Sequence, residues 1–358
     1  MMQISPETQL FIREHSSDDV RVLALQAKKY PDIDMPTAIT QIAGRKVAAE
    51  KIPSWWEIEK IWYPKHLSLE QCSSEITARY KARLLQGDSL TDLTGGFGID
   101  CSFLATGFKS TTYVERQEEL CEIAAHNFPV LSLNHINIKN EDGVTYLQAM
   151  SPVDCLFLDP ARRNEHGGKT VAISDCEPNV AELEELLLQK ANRVMIKLSP
   201  MLDLSLALKE LKQTQEVHIL SVNNECKELL ILLGQTSPAE ISIHCVNLFT
   251  KGTQKEQHFV FTREQEQCSE CTYTDSLETY LYEPNASLLK AGAFRSIAAA
   301  YPVRKLHPNS HLYTSDTFIE NFPGRIFRIV NQCSFNKKEV KELSLIHISE
   351  PTRLRCIS

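Results

Sequence analysis

The sequence predicts an α/β protein with a mainly parallel sheet and helices on both faces, and three observations carry that prediction. From Ser89 onward short apolar runs alternate with amphipathic stretches, the pattern that crossover connections between parallel strands impose. A last run at 228–233 (ELLILL) follows 216–222 (EVHILSV) after a link too short for a crossover helix, so it is expected to pair antiparallel. The first run ends in Asp92-Leu-Thr-Gly-Gly-Phe-Gly98, a glycine turn between strand and helix where a backbone can approach a ligand closely.

Taken in order, residues 1–87 show helical apolar spacing (Val20, Leu23, Leu25; Ile39, Ile42, Val47) broken at Pro31, Pro36, Pro53 and Pro64, which predicts a cap of short helices. Trp55, Trp56 and Trp62 read as aromatics that pack this cap onto a neighbour. Strands are predicted at 89–93 (SLTDL), 110–114 (STTYV), 135–138 (HINI), 153–158 (VDCLFL), 193–198 (RVMIKL), 216–222 and 228–233, with helices around 116–128, 177–190 and 203–212. Together these define a domain over 88–235. The runs 241–249 (ISIHCVNLF) and 258–262 (HFVFT), separated by the Lys251-Gly252 turn, predict a small β-rich, ferredoxin-like domain over 236–276. The stretch 277–343 has another texture, with Gly292, Pro302, Pro308, Pro323 and Gly324 punctuating aromatic and basic residues.

A chain of 358 residues with 42% hydrophobic and 23% charged content is globular and long enough for two or three domains, at roughly 150 residues each. Its formal charge of −8 leaves no global field to draw it to nucleic acid, so such a site must be a local patch. The eleven cysteines are scattered behind a charged N-terminus, which points to a reducing cytoplasm and not to a secreted disulfide framework. No apolar stretch reaches the roughly 20 residues a membrane span needs.

Candidate site residues sit at the predicted strand ends. Asp92 can orient the turn or a charged amino-acid moiety, and Thr94, Gly96 and Gly98 line the loop. Glu115 ends the second strand about 20 residues later, where a carboxylate can take the two hydroxyls of a ribose. Asp142, after the third strand, either reads an adenine amino group or caps the helix that begins at Gly143. Asp159 and Pro160 end the strongly apolar fourth strand, above the sheet where substrates enter. Lys197 and Ser199 end the fifth and border the same mouth.

At Phe157-Leu-Asp-Pro-Ala-Arg-Arg163 the chain resembles class I S-adenosylmethionine-dependent methyltransferases, in which a D/N-P-P-aromatic motif accepts a hydrogen bond from an exocyclic base amine. Here the motif reads D-P-A-R. No aromatic follows to stack on a flipped base, and Arg162 and Arg163 suit phosphate or carboxylate instead. Residues 69–81 (LEQCSSEITARYK), 282–294 (YEPNASLLKAGAF), 307–314 (HPNSHLYT) and 322–325 (FPGR) are similar to a subgroup with a THUMP-like C-terminal domain. The resemblance implies a Rossmann-like seven-stranded methyltransferase sheet, S-adenosylmethionine as cofactor, and a THUMP-like domain over 277–343. It also implies that Gln71, Ser73 and Ser74 lie against the methionine part, and an RNA partner, tRNA or rRNA, because THUMP domains bind RNA. Between 290 and 330 six basic residues (Lys290, Arg295, Arg304, Lys305, Arg325, Arg328) face two acidic ones, Asp316 and Glu320, a patch that could follow a phosphate backbone.

The expected function is therefore S-adenosylmethionine-dependent methylation of an RNA base amine, with Asp159 and Pro160 holding the acceptor. The alternative is a non-catalytic RNA-binding protein that keeps the fold, and a nicotinamide enzyme is disfavoured by the antiparallel hairpin. No metal is expected, since Cys268-Ser-Glu-Cys271 lacks a second ligand pair. Cys226 is a weaker candidate nucleophile without an identifiable base. Residues 344–358 (SLIHISEPTRLRCIS) resemble the translated read-through of a sequencing adaptor, which would truncate the last domain and strips Arg353, Arg355 and Cys356 of functional weight.

Overall fold

The prolines of the N-terminal region start helices as well as break them. In a computed structural model of the chain, which describes residues 4–162, 172–236 and 238–333 together with 336, 339 and 341, Pro6, Pro36 and Pro53 lie in the first turns of α1 (Pro6–Glu14), α3 (Met35–Lys51) and α4 (Pro53–Trp56). A missing amide hydrogen costs nothing there. Ser5, Asp19 and Asp34 cap α1, α2 (Val20–Leu25) and α3 through their side-chain oxygens. Phe11, Leu23, Met35, Ala38 and Ile42 pack these helices together, and α5 (His66–Gln71) and α6 (Glu75–Ala82) complete the expected cap.

The alternating region follows as β1 (Ser89–Asp92), α7 (Ile99–Ala105), β2 (Ser110–Glu115), α8 (Glu118–Val130), β3 (Ile136–Asn140), α9 (Gly143–Ala149) and β4 (Val153–Leu158). A two-residue pair, β5 (Ala161–Arg162) with β6 (Cys176–Glu177), precedes α10 (Val180–Lys190), β7 (Ala191–Leu198), α11 (Leu204–Glu210), β8 (Thr214–Val222) and β9 (Glu225–Gly234). β1 pairs in parallel with β2 and β4, β2 with β3, and β4 with β7. The expected hairpin turns on Asn223 and Asn224, both at positive φ (50° and 67°), the conformation a two-residue antiparallel connection demands.

Among the described residues the large sheet has nine strands, in the order β11-β10-β8-β9-β7-β4-β1-β2-β3, where seven were expected. β10 (Ser242–Leu248) pairs in parallel with β8, and β11 (Glu256–Thr262) antiparallel with β10. The runs expected to found a separate β-rich domain thus extend the main sheet. The buried Ile243, Cys245, Val246 and Leu248 would read the same in either setting, so local pattern could not decide between them.

The chain divides into two compact units, Met1–Gln215 with Leu230–Ser237 and Glu216–Leu229 with Pro238–Ser358. The second holds α12 (Arg263–Cys268), β12 (Tyr280–Pro284), α13 (Ala286–Ala291), α14 (Phe294–Ala300), β13 (Arg304–Lys305), β14 (Tyr313–Ser315) and β15 (Gly324–Arg328). Its four-stranded antiparallel sheet has the order β13-β14-β12-β15 around the buried rings of Tyr282, Tyr313 and Phe322. Within this unit Asn285 caps α13 and donates to Gln257 of β11, while Gln257 reaches the Gly324 carbonyl. No described helix is long and apolar enough to cross a membrane. Arg163 and the adaptor-like stretch 344–358 lie outside the described residues.

Candidate active site at the strand tips

Parallel pairing brings the carboxylates of three adjacent strands to one rim. Asp92 is in register with Tyr113 of β2 and Phe157 of β4, so Glu115 and Asp159 each lie two residues beyond its partners. The loop between β1 and α7 is tied to both neighbours. Gly95 donates to the Val114 carbonyl at 2.8 Å and Leu93 to the Phe157 carbonyl at 3.0 Å. The Asp159 amide donates to Thr94 Oγ1 at 2.6 Å. Gly96 and Gly98 hold φ of +55° and +86°, which side chains with a Cβ resist.

Glu115 closes the loop from the other side. Its Oε2 accepts from the Gly96 amide at 2.9 Å and its Oε1 from the Gln117 amide at 2.8 Å, while the Tyr113 hydroxyl donates to the Gly96 carbonyl. Each carboxylate oxygen keeps lone pairs beyond these bonds. Asp92 is 1% exposed. Its Oδ1 accepts from Thr94 at 3.0 Å, and its Oδ2 has no partner among the described residues. Burial, together with the negative charge of Asp100, Asp159 and Glu115, pushes the Asp92 carboxyl well above the usual carboxylate range despite the Thr94 bond.

A buried ionic network that the sequence reading did not anticipate backs this rim. Lys81, fully buried on α6, lies 2.8 Å from Asp100 Oδ1 in the first turn of α7 and donates to Ser73 Oγ at 2.7 Å. Ser73 donates in turn to Asp100 Oδ2 at 2.7 Å. Lys197, at the end of β7, is ion-paired to Asp159 and stands 3.7 Å from Asp100 Oδ2. Burial alone would raise the Asp100 carboxyl, but Lys81 and Lys197, with the hydrogen bonds from Lys81 and Ser73, bring it below its ordinary value. Lys81 had a sequence signal: it falls on the face of α6 that also buries Thr77 and Ala78, where a lysine needs a counter-ion.

The other expected site residues fall in three groups. Ser73 joins the network, whereas Gln71 is exposed at the end of α5 and no hydrogen bond among the described residues joins it to these groups. Ser74 precedes α6 and meets Thr77 through its hydroxyl. Asp142 takes the capping role, accepting at Oδ1 from the amides of Val144 and Thr145 at 3.0 Å each. Pro160 is buried at the turn, and Ser199 accepts from Met201 at 3.3 Å to shape the turn after β7. Arg162 lies in β5.

The cap aromatics behave as packing residues. Trp55 is buried edge-on to Phe97 of the glycine loop at 5.2 Å, and Trp62 stacks on His126 at 3.7 Å. Trp56 is 41% exposed beneath Arg45. Two cavities lie away from the rim. One of about 230 Å³ sits at the opposite end of the strands, beside Ser89, Val153 and Ala191, and one of about 390 Å³ lies beside Trp55, Ile58 and Phe103.

The expected basic patch is partly neutralised. Arg304 pairs with Glu278 and Arg325 with Glu283, and Lys305 is buried with its ammonium on the Pro308 carbonyl. Arg295 and Arg328 are exposed. Burial pushes the Cys226 and Cys271 thiols up, which argues against a ready thiolate at either.

Comparison with known proteins places these features. A family of ferredoxin-like domains matches residues 280–323, the stretch expected to be THUMP-like and not the one at 236–276. A crystal structure from Porphyromonas gingivalis W83, assigned as a methyltransferase, superposes with a TM-score of 0.84 at 34% identity, over 98% of this chain and 88% of that one. A modification subunit assigned to a type I restriction enzyme from Vibrio vulnificus YJ016 gives a TM-score of 0.38 at 11% identity over 56% of each chain. An rRNA methylase from Streptococcus thermophilus gives 0.33 at 14% identity, over 45% of this chain and 93% of that one. No curated protein matches.

Proposed function

Because this chain belongs to the same methyltransferase family as the Porphyromonas gingivalis protein, we propose that it uses S-adenosylmethionine and methylates a base amine of RNA. The observation that carries the cofactor reading is the buried, unpartnered Oδ2 of Asp92, beside a glycine loop whose Gly96 amide is tied to Glu115. A buried carboxylate oxygen without a donor is costly unless a ligand supplies one.

Bound at this rim, S-adenosylmethionine supplies a methyl group on an already positive sulfur, so transfer depends on alignment and exclusion of water more than on acid catalysis. Asp92 would hold the cationic amino group of the methionine part. Glu115 would take the ribose hydroxyls with the lone pairs its two amide bonds leave. Gly96 and Gly98 keep side chains away from the loop face that an adenosyl group would cover. Asp142 can offer its second oxygen to an adenine amino group while its first caps α9. Ser73 acts through Asp100 as a positioning residue and not by touching the methionine part.

The acceptor would sit at Asp159 and Pro160. Burial raises the Asp159 carboxyl above its ordinary value against the opposing charge of its partner Lys197; its task is to accept an amine N–H and aim the nitrogen, and the proton leaves to water after transfer. RNA is supported by the exposed Arg295 and Arg328 and by the resemblance of the D-P-A-R turn to base-amine motifs. The test is incubation of the full-length protein with methyl-labelled cofactor and total RNA, beside Asp159→Ala. Label in a single nucleoside that the variant fails to deliver supports the reading. RNA retention without label by both proteins would replace it with a binding protein, and label only in protein or small molecules would remove RNA as the substrate.

A further inference from the structure

Four side chains outside the strand-tip rim converge on one face of the second unit. Glu216 and His218 are two residues apart in β8 and so share a face of the sheet. His244 of β10 is in register with His218. Across the next pair His244 faces Val260 of β11, which puts His258, two residues earlier, on that face as well. The rings follow this register: His218 and His244 stack at 4.3 Å and 16°, and His244 and His258 at 5.3 Å and 26°.

The donor atoms are at coordination spacing. His244 Nδ1 lies 3.2 Å from His258 Nε2, and His218 Nε2 lies 3.3 Å from Glu216 Oε2. One ligand atom from each of Glu216, His218 and His244 falls within 4.8 Å of the others. Two ligands each about 2.0–2.1 Å from a tetrahedral ion are themselves about 3.4 Å apart. Imidazole nitrogens with one carboxylate suit borderline divalent ions and not calcium or magnesium, which prefer all-oxygen sites.

We propose that Glu216, His218 and His244 form a binding site for a divalent ion of the zinc type, which joins β8 and β10, with His258 beside His244 at its edge. The ligands come from two neighbouring strands, so the ion would act as a staple on the sheet extension. Nothing in this inference depends on methyl transfer. The sequence reading expected no metal because it sought ligand pairs close in sequence, and here the pairing register supplies the proximity.

The experiment uses the full chain without a polyhistidine tag, stripped with chelator and titrated with zinc chloride alone by calorimetry. One equivalent should bind with a dissociation constant of about 1 μM or tighter, and the melting temperature should rise by several degrees. Cobalt(II) in place of zinc should give visible absorption bands of a nitrogen- and oxygen-ligated ion. The double variant His218→Gln/His244→Gln should lose the equivalent and the thermal shift with its far-ultraviolet circular dichroism unchanged, whereas Cys268→Ser/Cys271→Ser should keep both. Absence of stoichiometric zinc in the wild type, zinc retained by the histidine variant, or zinc lost with the cysteines would overturn the site. If the histidine variant fails to fold, the wild-type cobalt spectrum decides: sulfur-to-metal charge-transfer bands, or no bands, would also overturn it.

Discussion

Lys197, from the end of β7, is ion-paired with Asp159 at the turn after β4, so the carboxylate proposed to face the acceptor carries a fixed counter-ion. The lysine holds the Asp159 carboxylate in place at the D-P-A-R turn. Asp159→Ala should lower kcat by about 100-fold, as loss of a polar contact made at the reacting group does, and leave the affinity for S-adenosylmethionine within about threefold. Calorimetry beside a transfer assay checks this, and equal loss of binding and turnover would contradict it.

The Lys81–Asp100 pair should be worth more to folding than to binding. Lys81→Met leaves Asp100 buried without its main counter-ion and should cost about 3–5 kcal/mol. The double variant Lys81→Met/Asp100→Leu should recover much of that loss, since no uncompensated charge remains. A urea-denaturation double-mutant cycle measures the coupling, and additive losses would show that the two charges do not depend on each other.

Asp92 gives a pH signature. Its folded-state pKa is raised, chiefly by burial, so the unfolded chain ionises first as pH climbs past the ordinary carboxylate range. Over that window stability falls, and it is recovered on acidification. Asp92→Asn should thus raise the melting temperature at neutral pH while weakening S-adenosylmethionine binding. A bound cation should pull the Asp92 pKa down, so binding below the raised pKa should release a proton. Calorimetry in buffers of different ionisation heat reads that release, and a variant that loses stability would contradict the assignment.

The two middle glycines should behave differently. A Cβ at Gly95 would lie 2.2 Å from the Tyr113 ring, whereas at Gly96 the nearest atom is the Thr94 carbonyl oxygen at 3.8 Å. Gly95→Ala should cost about 1–3 kcal/mol through overpacking. Gly96→Ala should cost about 1–2 kcal/mol for its left-handed backbone, fold, and lose cofactor affinity by placing a methyl on the loop. Thermal melts and binding isotherms of both variants separate these outcomes.

Much of this arrangement was legible before any coordinates. The alternation from Ser89, the hairpin at Asn223 and Asn224, and the strand-end positions of Asp92, Glu115 and Asp159 follow from local period and turn chemistry. The sheet extension was not legible, because β10 shows the same alternation whether it joins β8 or begins another domain. The patch over 290–330 looked open because Glu278 and Glu283, partners of Arg304 and Arg325, lie outside that window. Lys81 and Asp100 meet across 19 positions of chain, a distance that no short motif records.

The link from Ser73 and Lys81 to Asp100 limits how the protein can be dissected. A fragment trimmed to begin at β1 would keep Asp92, Glu115 and Asp159 yet strand an acidic group inside α7 with half of its cationic company gone. Expression boundaries for any minimal catalytic piece belong upstream of residue 73, and grafting this loop onto another scaffold would require carrying the preceding helix with it.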